Sequence, residues 1–154
     1  MKGVKLKVIV QAGGLGTRMQ GLTSSKPKGL ISVFNKPIIF HLFDLLKKKL
    51  IATDFIIIGD YKFDVLDKYL TVFAKDTNYI LLKAYGKGNA AGLKDALKLV
   101  PENEEVLIIW SDLILPEDIV FEHKTGCQVG IVNFPCSWMV KDGKLSHEKT
   151  EKMV

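Results

Sequence analysis

The sequence predicts an α/β fold in which a mainly parallel, mixed sheet is flanked by helices. Three observations carry that prediction. Strand-like and helix-like patterns alternate through residues 5–110 with short connections, the strand-like runs are apolar nearly throughout, and a glycine-rich segment follows the first of them. A strand covered by helices on both faces loses the in-and-out alternation of a half-exposed strand, so continuous apolar runs argue for parallel pairing with right-handed crossovers.

Residues 5–11, KLKVIVQ, are β-branched and apolar and stop at Ala12-Gly13-Gly14, which marks a first strand running into a loop. Pro37 is placed to be the first residue of a helix, with Ile38, Ile39, Leu42, Leu45 and Leu46 following at helical spacing. Lys47, Lys48 and Lys49 fall at its expected end, where cations complement the helix dipole. FIIIG, residues 55–59, reads as a short strand, and from Lys62 a second helix places Phe63, Leu66 and Leu70 on one face. YILLKA from Tyr79 is strand-like. Residues 89–100 read as a helix with Asn89 as N-cap and Leu93, Leu97 and Val100 inward, and EVLIIW, residues 105–110, as a fourth strand. After Asp112 the pattern changes: CQVGIVNF from Cys127 and WMVKDGKLS, with its Asp142-Gly143 turn signal, read as strands and a hairpin.

The 154 residues, 47% of them hydrophobic, suit a single domain with a sizeable core. No apolar run approaches the ~18 residues of a spanning helix, and the N-terminus turns into a glycine loop without a signal-peptide pattern. A soluble, cytoplasmic protein with no membrane partner is expected. The formal charge of +5 suits an anionic partner. The densest lysine cluster is accounted for by a helix end, so no nucleic-acid partner is expected. Cys127 and Cys136 lack the paired spacing of a zinc site and are expected to be small buried hydrophobes in a reducing compartment.

In an open parallel sheet, ligands bind beyond the carboxyl ends of the strands, so the loop after the first strand is the expected site. Glycines there let backbone N–H groups approach an anion. A P-loop requires Gly-Lys-Ser/Thr, and this loop offers Gly-Thr-Arg; a dinucleotide fingerprint requires a third glycine where Met19 and Gln20 stand. Both fail. What remains is A-G-G-x-G-T-R followed by K-P-K.

That pattern resembles the sugar-nucleotide pyrophosphorylases, the sugar-1-phosphate nucleotidyltransferases. The matching residues are Ala12, Gly13, Gly14, Gly16, Thr17 and Arg18, then Pro27, Lys28 and Leu30, then Asn35, Lys36, Pro37 and Ile38. Gly88-Asn89-Ala90-Ala91-Gly92 stands where the family often has a Gly-Thr segment entering a helix, and Trp110-Ser111-Asp112 where it has a strand ending in Gly-Asp. The resemblance covers residues 4 to about 115. It implies a Rossmann-like fold of the nucleotide-diphospho-sugar transferase type, and transfer of a nucleoside monophosphate from a triphosphate to a sugar 1-phosphate with release of pyrophosphate. It also implies roles. Gln11, Ala12, Gly13, Gly14, Gly16 and Thr17 would hold base and phosphates, Arg18 the β- and γ-phosphates, and Lys28 the α-phosphate and the incoming phosphate. Lys83, Gly88 and Asn89 would contribute to the nucleotide site, and Asp112 would bind Mg²⁺.

There are departures. Lys83 stands, five residues before Gly88, where uridine- and thymidine-using members often carry a glutamine, and a lysine cannot accept a hydrogen bond from a ring N–H. Tyr85 and Lys87 are the neighbouring candidates for base contact, and the base stays open. The family usually continues well beyond the length of this chain, so the expectation is one nucleotidyltransferase domain over residues 1–154, truncated at its C-terminus, with the acceptor-binding part largely absent. A truncated sheet has an unpaired edge, which predicts self-association into a homo-oligomer. Glu148 and Glu151 are the candidates for acceptor contact. Two other readings are open: a cytidylyltransferase acting on a non-sugar phosphate such as phosphocholine, and a non-catalytic nucleotide-binding or regulatory relative.

Overall fold

The apolar run at the N-terminus forms strand β1 (Leu6–Gln11), in which Val8, Ile9 and Val10 are fully buried. It lies inside the sheet, and its alternate residues enter two separate cores, Val8 and Val10 on one face and Ile9 on the other. The computed structural model describes residues 6–50, 53–86, 88, 90–121, 126–129, 139–141 and 144–146. After β1 come two short 3-10 segments, η1 (Thr17–Thr23) and η2 (Lys28–Leu30). Strands β2 (Ser32–Val33) and β3 (Lys36–Pro37) then form a tight hairpin. Its tip residues Phe34 and Asn35 have φ of 48° and 61°, as a two-residue turn with left-handed central positions requires.

Helix α1 (Ile38–Lys49) starts one residue later than predicted, because Pro37 is its N-cap in extended conformation and still pairs with Ser32. Ile39, Leu42, Phe43 and Leu46 are buried, and the three lysines occupy the last turn as expected. Lys47 donates to Thr77 Oγ1 at 2.9 Å and to the Asp76 carboxylate at 3.1 Å, and this lysine holds the Asp76 carboxyl below its ordinary pKa. His41, which has no functional expectation attached, is satisfied by the Val33 carbonyl at 2.8 Å from its Nε2.

Strand β4 (Thr53–Gly59), helix α2 (Phe63–Phe73), strand β5 (Tyr79–Lys83), helix α3 (Leu93–Leu97) and strand β6 (Glu105–Trp110) complete the α/β unit. The sheet order is β5-β4-β1-β6, and every pair within it is parallel. Val8, Val10, Phe55, Ile57 and Ile109 pack against α1 and α2, whereas Ile9, Ile56 and Ile58 pack against Ala96 of α3 on the other face. Reversing the direction of chain progress at β6 carries α3 to that opposite face, as right-handed crossovers demand.

Two expectations are corrected here. Helix α3 begins at Leu93 with Gly92 as its N-cap, not at residue 89. The cause is local: Gly92 sits at φ 78°, and a Cβ there would stand 2.7 Å from Ile58 Cγ2, so residues 90–92 make a turn that seats the chain on β4. Ala96 takes the fully buried position and Leu97 is exposed, whereas Leu93 and, just beyond the helix, Val100 pack against the core as expected. Cys127 is also exposed, not buried.

The expected hairpin is present as β7 (Met139–Lys141) and β8 (Lys144–Ser146), paired antiparallel, with β7 beside η1. Residues 127–129 form no strand, and the remainder of the predicted strand from Cys127, the Asp142-Gly143 turn and Cys136 lie outside the described residues. No helix among the described residues is long and apolar enough to cross a membrane.

Candidate active site

Chain progress runs from β1 outward through β4 to β5, then returns to the other side of β1 as β6. Progress across the sheet thus reverses between β1 and β6, and the carboxyl ends of these two strands are the switch point, the crevice position where open α/β sheets hold ligands. Gln11 and Trp110 are register partners at that end, and the Ser111 N–H donates to the Gln11 carbonyl at 3.0 Å. Asp112 thus emerges directly over the start of the glycine loop.

The loop is folded back on itself. Gly16 has φ 63°, and a Cβ there would approach Thr23 Cγ2 to 2.8 Å and Lys28 Cβ to 3.4 Å. Only glycine permits both this conformation and this approach. The Gly16 carbonyl accepts from the Met19 N–H at 2.8 Å and from Thr23 Oγ1 at 3.1 Å, which draws η1 into a closed turn. Gly14 differs: it has no left-handed φ, and a Cβ there would meet nothing within 4 Å. The fold places no demand on that position.

Lys28 is carried by η2, whose Gly29 and Leu30 are buried. Gly29 packs on the end of β6, where an added Cβ would stand 2.8 Å from Ser111 Oγ and 3.0 Å from Ser111 Cβ. This close approach sets Lys28 beside Asp112, and the Lys28 ammonium pairs with the Asp112 carboxylate, the two side chains being 39% and 23% exposed. Both remain accessible from the crevice. Arg18, on η1, is exposed and has no carboxylate partner among the described residues.

The structure thus brings Gly16, Lys28 and Asp112 to one end of the β1–β6 crevice, with Gln11, Ala12, Gly13, Gly14, Thr17 and Arg18 on the same loop. Other candidates lie elsewhere. Lys83 ends β5, two strands away from β1, and its ammonium lies 5.5 Å from the centroid of the Phe63 ring on α2. Gly88 and Tyr85 are exposed in the β5–α3 connection. Asn89, Lys87, Glu148 and Glu151 lie outside the described residues.

Sequence reasoning missed two residues that shape the loop. Thr23 is 4% exposed and bonds Gly16, and Tyr61, from the β4–α2 connection, reaches the same loop with its phenol. The available signal for Tyr61 was its position, since it closely follows the carboxyl end of a buried strand. The signal for Thr23 was absent, because its contacts depend on the loop's closure.

Chemically, the crevice offers two side-chain cations, backbone donors and one carboxylate. Asp112 is a hard oxygen donor beside the Lys28 ammonium, and such a donor fits Mg²⁺, an ion that takes one or two carboxylates and completes its shell with water and phosphate oxygens. No cluster of three or more acidic, histidine or cysteine side chains exists among the described residues to hold a metal alone.

A family model described as nucleotidyl transferase matches residues 7–129. Mannose-1-phosphate guanyltransferase beta-B of Xenopus laevis is 34% identical over 126 residues, covering 77% of this chain and 35% of that protein. CTP:phosphoglutamine cytidylyltransferase of Campylobacter jejuni is 31% identical over 120 residues, covering 75% of this chain and 47% of that protein. The structure of a UDP-glucose pyrophosphorylase complexed with UDP-glucose superposes with a TM-score of 0.58 at 18% identity, over 70% of this chain and 46% of that one. The fold is shared. The chain spans between a third and a half of the length of these curated relatives.

Proposed function

The chain belongs to the nucleotidyl transferase family, and from that premise we propose that it transfers a nucleoside monophosphate from a triphosphate to a sugar 1-phosphate, releasing pyrophosphate. The observation that carries the proposal is the convergence of the glycine loop, Lys28 and Asp112 at the β1–β6 crevice. Residues 1–154 are read as one nucleotidyltransferase domain weighted to its nucleotide-binding portion, placed in the cytoplasm with its substrates. Self-association through a sheet edge is proposed alongside and is read by light scattering.

The chemistry follows from charge. An oxygen of the acceptor phosphate attacks the α-phosphorus, the bond from that phosphorus to the bridging oxygen breaks, and pyrophosphate leaves with the electron pair. Both reactants are polyanions, so alignment and charge compensation lower the barrier, and no covalent enzyme intermediate is required. Gln11 and Ala12 and the backbone of Gly13, Gly14, Gly16 and Thr17 hold the nucleotide, and Arg18 takes the leaving phosphates. Lys28 spans the α-phosphate and the attacking phosphate, where charge shifts as the bonds exchange. Lys83, Gly88 and Asn89 are proposed, on the family resemblance, as further contributors to the nucleotide site. Asp112 would hold Mg²⁺, which when bound would neutralise phosphate charge.

A second reading is favoured by the similarity to a cytidylyltransferase whose acceptor is phosphoglutamine: a CTP-dependent enzyme acting on a phosphorylated non-sugar. One assay separates them. The chain is incubated with Mg²⁺, each common triphosphate, and mannose 1-phosphate, glucose 1-phosphate, phosphocholine or phosphoglutamine, and pyrophosphate is measured. Turnover with a sugar 1-phosphate supports the first reading, and turnover only with CTP and a non-sugar supports the second. Triphosphate binding without turnover supports a truncated or regulatory relative, and absence of triphosphate binding overturns all of these readings.

A further inference from the structure

In the β4–α2 connection, Asp60 packs closely on Gly13 and Tyr61 hydrogen-bonds the glycine loop in two ways. The Tyr61 N–H donates to the Gly13 carbonyl at 3.4 Å, and the Tyr61 phenol donates to the Thr23 carbonyl at 2.8 Å, with the Ser24 carbonyl at 3.2 Å as alternative acceptor. Tyr61 thereby bridges both ends of the segment that contains Arg18. That segment is a seven-residue 3-10 run with no side-chain N-cap bond, whereas such runs seldom persist beyond about three or four residues. Inside it, the Gly16 carbonyl accepts from Thr23 Oγ1 and from the Met19 N–H, and the Gly21 carbonyl accepts from the Ser24 hydroxyl. On the other side of Tyr61, Lys62 is held at φ 51°, a left-handed conformation that non-glycine residues adopt at a cost. The left-handed residue is thus the immediate chain neighbour of the tyrosine.

We propose that Tyr61 is a positioning residue for the triphosphate: its phenol holds the Gly13–Ser24 loop in the shape that presents backbone donors and Arg18 to the phosphates. The inference rests on the nucleotidyltransferase reading. Its energetic content is preorganisation, because a loop fixed in advance does not have to be ordered when the polyanion binds.

The test uses the intact chain and the variants Tyr61→Phe, Thr23→Val, Thr23→Ser and, as a control on a tyrosine of α2 outside the loop, Tyr69→Phe. Amide hydrogen exchange over residues 13–24 is measured, together with GTP and CTP affinity by calorimetry in Mg²⁺. Loss of one hydrogen bond corresponds to about 2- to 10-fold in an equilibrium. Tyr61→Phe should therefore accelerate exchange in 13–24 and weaken triphosphate binding by about that factor, with the thermal midpoint matching the Tyr69→Phe control and the acceptor KM unchanged. Thr23→Val should reproduce the effect and Thr23→Ser should restore it. Faster exchange with unchanged triphosphate affinity overturns the proposal by making Tyr61 a structural anchor, as does exchange that does not change. Absence of triphosphate binding in the parent chain overturns the nucleotidyltransferase reading and the positioning role with it. Parent binding that Tyr61→Phe leaves intact overturns the positioning role alone.

Discussion

Lys28 and Arg18 carry charge in different settings, and the difference sets what each substitution should do. Lys28 is tied to Asp112 and to the end of β6, whereas Arg18 stands exposed on a turn. Removing either positioned cation should lower turnover by roughly 10²- to 10³-fold, the typical cost of one transition-state donor. Steady-state kinetics of Lys28→Ala and Arg18→Ala check this, and near-normal turnover would remove the residue from its assigned role. Gly14 supplies a sharper test. Because a Cβ at Gly14 meets nothing within 4 Å and φ is not left-handed, Gly14→Ala should leave the urea midpoint unchanged while weakening triphosphate binding. These residues were legible in the sequence because glycines and cations at fixed spacing after a strand are a local pattern. Tyr61 and Thr23 were not, because a phenol reaching a carbonyl 38 positions away leaves no trace in local spacing.

The elements were readable to the extent that burial has a period. Helix α1 was readable because its apolar stripe is continuous. Phe43 in that stripe is 1% exposed, with its ring 4.6 Å from that of Phe55. Phe43→Ala should cost ~3–5 kcal/mol by chemical denaturation, the usual range for a large aromatic in a filled core. Helix α3 was misplaced for a physical reason: Asn89 has the chemistry of a cap, but close packing of Gly92 on Ile58 decides where the helix starts. Local preference is worth about 1 kcal/mol and yields to a steric contact of that kind. The two-residue pairing of β2 with β3 escaped notice because so short a ladder has no period to detect.

At the scale of the whole molecule, the alternation of elements gave the layer order, and the position of the site follows from topology. The crevice exists because β6 returns to the side of β1 opposite β4. A net charge of +5 suits a polyanionic ligand, and raising salt from about 0.05 to 0.5 M should slow triphosphate association severalfold through screening. Stopped-flow binding reads that rate, and salt independence would show that the global field does not steer the ligand. The identity of base and acceptor was not readable, since Lys83 lies over Phe63 at the edge strand and the acceptor candidates Glu148 and Glu151 are outside the described residues.

The packing of Gly29 on Ser111 has a consequence for how this chain can change over generations. The two positions share one small volume, so neither is free to vary by itself. Gly29→Ala should push η2 off the end of β6 and lower activity, and adding Ser111→Gly should recover most of it by removing the two nearest atoms. A double-mutant cycle measures that coupling. If it holds, substitution at these sites is expected to be correlated among relatives, and the order of events is constrained: Ser111 must shrink before Gly29 can grow.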